Sequence, residues 1–169
     1  LVCFYAWYRL GKIGLGEDAL RLSRIFFLLT GFSTLIGGLV GHAFLYAVPF
    51  GFKLPGWMLG MIAVSALEQA SVVRARAILG ARMTKFLLYL NITELTLALW
   101  FVSTSLWFPV VEIHSAFGFL LVVAPLEALL WLKVRAPGSR DILWGILLLI
   151  AAVMAHILKI SFGAIHQTG

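Results

Sequence analysis

A single cysteine, Cys3, excludes an internal disulfide and any cysteine-based metal motif. Charge is scarce as well: 12% of the 169 residues are charged and 62% are hydrophobic. A soluble domain of this size with so little charge would leave too much apolar surface in water. No Gly-rich phosphate loop and no Ser/His/Asp arrangement is present. No linker, low-complexity tract or internal repeat divides the chain, so residues 1–169 are expected to form one helical domain.

What charge there is sits in a pattern. Arg9, Lys12, Arg21 and Arg24 fill a first polar gap, Arg74, Arg76, Arg82 and Lys85 a second, and Lys133, Arg135 and Arg140 a third. The intervening gaps are almost free of positive charge, with Lys53 alone at residues 49–53 and none around Phe108-Pro109. Basic loops stay on the cytoplasmic face during insertion. The expected fold is therefore an all-α polytopic transmembrane bundle in a bacterial inner membrane. Gaps 9–24, 74–85 and 133–141 are expected to be cytoplasmic and the C-terminus outside. The net charge of +6 is split among these borders and forms no stripe, so the expected partners are the bilayer and its anionic headgroups, and nucleic acid is excluded.

Five complete spans of about 20 residues fit the apolar stretches: 25–48, 54–73, 86–108, 110–131 and 142–162. Leu1–Tyr8 is too short to cross and reads as the tail of a first helix whose start is missing, in a chain cut from a longer one of up to seven helices. Pro49, Pro55, Pro109 and Pro137 lie at span edges, where a missing N–H is tolerated. Trp57, Trp100, Trp107 and Tyr46 mark the outer interface, Trp131 and Trp144 the inner. Ser33, Gly37 and Gly41 recur every four residues, a spacing that lets two helices approach closely, either inside the bundle or as an oligomer face through Gly37 and Gly41.

Ionisable side chains at membrane depth point to a polar interior or a site. Counted from the span ends, they sort into two layers. An outer layer holds His42, His114, His156 and Glu112; an inner layer holds Glu68, Asn91, Glu94 and Glu127, with Arg74 and Arg76 within snorkelling reach. Three imidazoles at one depth on three helices suit a zinc ion with a fourth position left for water. Each histidine also has a plain reading as a hydrogen-bonded packing residue, and the inner layer reads as an interhelical clasp, a proton path or a headgroup pocket.

The stretch 28–44, Leu-Leu-Thr-Gly-Phe-Ser-Thr-Leu-Ile-Gly-Gly-Leu-Val-Gly-His-Ala-Phe, followed by Lys53-Leu54-Pro55-Gly56-Trp57, resembles a group of bacterial multi-pass membrane proteins. That group is distantly similar to the superfamily of alkaline ceramidases, haemolysin III proteins and adiponectin-receptor-like proteins. The resemblance implies seven helices and a zinc-dependent amide hydrolase acting on lipids, with Ser33 and His42 as its early Ser/His pair. The His-x-x-x-His pair of those proteins is not in this chain, where His156 and His166 are ten apart.

Three functions follow as expectations. The first is a zinc hydrolase of lipid amides or esters, with His42, His114 and His156 as ligands and Ser33 or Glu112 as catalytic proton acceptor. The second is a haem-b electron-transfer subunit ligated by two of those histidines. The third is a non-catalytic complex subunit or a small-molecule transporter.

Overall fold

The computed structural model describes residues 1–13, 17–40, 44 and 47–157, the last two of these by backbone alone. Among the described residues six helices follow one another: α1 (Val2–Gly11), α2 (Asp18–Gly38), α3 (Leu54–Arg74), α4 (Arg76–Ser105), α5 (Pro109–Val134) and α6 (Ser139–Ile157). A 3₁₀ turn, Phe50–Lys53, leads into α3. No strand occurs among the described residues. Four helices, α2 to α5, are long and apolar enough to cross a membrane, α3 together with its 3₁₀ lead-in. The fifth expected span corresponds to α6, and its end lies outside the described residues.

The helices run further into the basic gaps than hydropathy suggests. α2 begins at Asp18, not near Ile25, because Glu17 is extended and Asp18 places a carboxylate in the first turn, where the helix dipole favours it. The second basic gap is itself helical. Only Ala75 separates α3 from α4, and the one break inside α4 is at Gly80, whose φ of 77° is open to glycine at little cost.

Pro125 lies inside α5, at a place where the edge rule for proline fails. Its ring would clash with the carbonyl four residues back in a regular helix. The chain avoids this with a π-helical segment, Phe117–Val123, after which the Ala124 N–H reaches back to Phe119 O. The same wide turn leaves Gly118 facing α3, where a Cβ would strike Glu68 Oε1 and stand 2.5 Å from Val64 Cγ1.

α3 is the central element, packed against α2, α4 and α5. Its contact with α2 is made by small residues: Gly56 and Gly60, four apart, face Ser33 and Gly37 of α2. The Ser33 hydroxyl donates to Gly56 O at 2.8 Å across this seam. The Ser33/Gly37 stripe thus serves internal packing at these two positions, while Gly41 lies outside the described residues. The far faces of α4 and α6 stay apolar and exposed, with Phe86, Tyr89, Leu97 and Trp100 on one and Leu147, Leu148 and Val153 on the other, as lipid-facing surfaces are.

Side-chain contacts pair the ends of the bundle. At one end Trp57 stacks with Phe50 and Phe108 at centroid distances of 5.4 and 5.0 Å, joining the 49–53 turn to the α4–α5 turn. At the other, Arg74 donates to Pro137 O, joining the second basic gap to the third.

Candidate functional site

Three helices bring polar side chains to one buried seam. α3 supplies Met61, Ser65, Glu68 and Gln69, α4 supplies Asn91 and Glu94, and α5 supplies His114 and Gly118. The i,i+3 and i,i+4 spacings place each set on one helix face.

His114 is 1% exposed and uses both ring nitrogens. Nε2 lies 3.0 Å from Met61 O, and Nδ1 lies 2.9 and 2.8 Å from the two oxygens of Glu94. A carbonyl oxygen can only accept, so Nε2 carries a hydrogen and donates. One further proton lies between Nδ1 and the Glu94 carboxyl. The pair has no net charge whether that proton rests on nitrogen or on oxygen, and gaining or losing one proton changes its charge by one unit. The Glu94 side chain is 27% exposed, so the pair is reached from its α4 side.

Beside it, Asn91 gathers α3. Its Oδ1 accepts from Ser65 Oγ at 2.7 Å and from Gln69 Nε2 at 2.8 Å, and its Nδ2 donates to Glu68 Oε2 at 3.0 Å. Glu68 is 1% exposed and its second oxygen, Oε1, has no hydrogen-bond partner. That oxygen faces Gly118. An unpaired buried carboxyl oxygen is costly and marks either stored strain or a place where a proton or ligand is taken up.

A second acidic cluster lies nearer the basic end and is fully paired. Glu127, completely buried, accepts from Ser71 Oγ at 2.8 Å and from Arg74 Nη1 at 2.9 and 2.8 Å. Arg74 Nη2 in turn donates to Pro137 O and Ser139 Oγ. At Glu127 the inner layer forms an interhelical clasp, one of the three readings open for it, which ties α3, α5 and the start of α6 together.

The residues singled out in the sequence do not all meet. Glu94 of the inner layer touches His114 of the outer layer, so the two layers are one at this point. Ser33 spends its hydroxyl on Gly56 O, and Glu112 is exposed in the first turn of α5. His42 lies outside the described residues, and His156 is placed on α6 by backbone only. Among the described residues no group of three or more His, Cys, Asp or Glu side chains is arranged to hold a metal ion. His114, with both nitrogens engaged, would have to release Glu94 or Met61 O to become a ligand, so the part of the set that is described does not fit zinc or haem.

Met61 and Gly118 escaped the sequence reading. A main-chain carbonyl leaves no mark in residue identity. The mark for Gly118 was Pro125, seven residues on, a proline inside an apolar span.

The profile described as a family of unknown function, DUF6962, matches residues 1–166, and the chain belongs to that family. No curated protein and no solved structure matches it.

Proposed function

We propose that this member of the DUF6962 family is a proton-coupled membrane protein of the transporter class, with the Glu94–His114 pair as its proton-binding site. The observation that carries the reading is the contact of His114 Nδ1 with both Glu94 oxygens in a setting where Nε2 already faces Met61 O. Ionisable groups are expensive at membrane depth and typically line ion or substrate paths. Changing the pair by one proton changes a buried charge at the junction of α3, α4 and α5. It thereby favours a different packing of that seam, as alternating access requires. Glu68, with its unpaired oxygen, is the neighbouring acceptor. The hydrolase and haem readings draw support from the resemblance and from three histidines, of which only His114 has a described side chain.

Infrared difference spectra of the purified protein between acid and alkaline buffer test the pair. A protonated-carboxyl band that is lost in Glu94→Gln and shifted in His114→Gln is expected. A spectrum unchanged by both substitutions defeats the reading.

The orientation belongs to the same proposal: basic gaps on the cytoplasmic side, the aromatic Trp57 end outside, five crossings in all. Support comes from the charge distribution and from the pairing of the loops at each end. Cysteines introduced at the exposed Gly138 and Gly51 should label from opposite sides of intact cells, Gly51→Cys from outside. Outside labelling of Gly138→Cys reverses the assignment.

A further inference from the structure

α2 and α6 flank α3 and α5 without packing extensively on each other. Between them runs a groove of about 880 Å³. Its floor is Val64 and Leu67 of α3 with Phe119 of α5, and its walls include Phe26 of α2 and Ile146 of α6. Trp57 and Phe108 close the aromatic end. At the basic end the lining reaches Ser23 and Asp141. Along α2 the lining extends from Ser23 to Gly37, a rise of roughly 21 Å. That exceeds half of a hydrocarbon core about 30 Å thick.

Among the described residues of the lining Asp141 is the one charged group, and it stands at the end opposite Trp57. Among the described residues its carboxylate makes no ion pair; Arg140 precedes it in the chain, whereas the Arg24 guanidinium turns to Trp7 and Gly11 of α1, away from the groove. A long apolar trough ending at one carboxylate has the polarity of an amphiphile: hydrocarbon along its length and, at one end, a head bearing a positive charge.

We infer that the α2/α6 groove binds one aminophospholipid from the leaflet on the basic side. One acyl chain lies along Phe26, Leu67 and Ile146 toward Trp57. The ammonium pairs with Asp141, and the phosphate lies toward Arg140, the preceding residue of the chain. The inference needs the membrane setting but not the proton role, because the groove lies away from the Asn91 and Glu94 face of α3.

Trp57 is the probe. In a variant with Trp7, Trp100, Trp107, Trp131 and Trp144 replaced by Phe, delipidated in detergent, fluorescence is titrated with phosphatidylethanolamine brominated on its acyl chain. Phosphatidylglycerol brominated in the same way serves as the comparison. Quenching should saturate at one ethanolamine lipid per chain, at about fivefold lower concentration than the glycerol lipid, the size of a partly exposed ion pair. Asp141→Asn should remove that preference. Gly145→Leu, which adds bulk where a Cβ meets nothing within 4 Å, should abolish saturation without a backbone clash. Quenching that never saturates, or that survives Gly145→Leu, overturns the groove as a lipid site. Equal affinity for the two lipids overturns the ammonium–Asp141 pairing. Mass spectrometry of the chain with all six tryptophans, released from detergent with its bound lipid, gives the same comparison without the Phe replacements.

Discussion

Glu127 and Glu94 are both carboxylates carried into the bundle, and their partners differ in kind. Glu127 faces Arg74, whose charge is permanent, and the guanidinium is held by Pro137 O and Ser139 besides. Glu94 faces His114, the side chain whose charge changes most readily near neutral pH. The first arrangement can only hold or break. The second, bounded by Met61 O on one side and Asn91 one turn away, can gain or lose a proton and so change the charge held at that seam. A membrane protein that needs a stable end and a responsive middle can place these two acid–base pairs about three turns apart along α3.

The sharpest way to break the comparison is Arg74→Met. It leaves Glu127 buried without its cation, a loss of about 3–5 kcal/mol, and should lower the midpoint of unfolding in detergent or prevent accumulation altogether. Adding Glu127→Leu should restore much of the loss, because the uncompensated charge goes with it. A single Arg74→Met as stable as the parent would mean that Glu127 is solvated there.

Gly118→Ala tests the other side. Its Cβ would strike Glu68 Oε1 and crowd Val64. Overpacking of this kind costs about 1–3 kcal/mol, read as a lower melting temperature, and Glu68→Ala in the same chain should recover part of it. No destabilisation would show that the π-helical segment yields freely and does not position Glu68.

The smallest effect is expected at Ser33→Ala, which removes one hydrogen bond between neutral groups. Such bonds between membrane helices average about 0.6 kcal/mol. A much larger loss of stability, or loss of a measured hydrolysis with stability intact, would mark Ser33 as more than a packing residue.

The clasp was readable because Glu127 and Arg74 lie at the same depth near the same basic end, and a long cation reaches a buried acid by snorkelling. The Glu94–His114 contact was not. Counting residues from span ends put the two in different layers, since a count carries neither helix tilt nor the reach of two side chains. The boundaries slipped for a related reason. Hydropathy follows the lipid, whereas a helix continues into basic residues until a cap ends it, and α4 does so across the kink at Gly80.

The amino-acid sequence by itself determined that the chain is helical and membrane-bound, since apolar runs of this length with so little charge have no other stable setting. Only the tertiary structure decided that Gly56 and Gly60 meet Ser33, that a π-helical turn before Pro125 makes room for Glu68, and that Met61 O, His114 and Glu94 form one line. These depend on helix rotation and on main-chain atoms that every residue shares, so no residue type announces them.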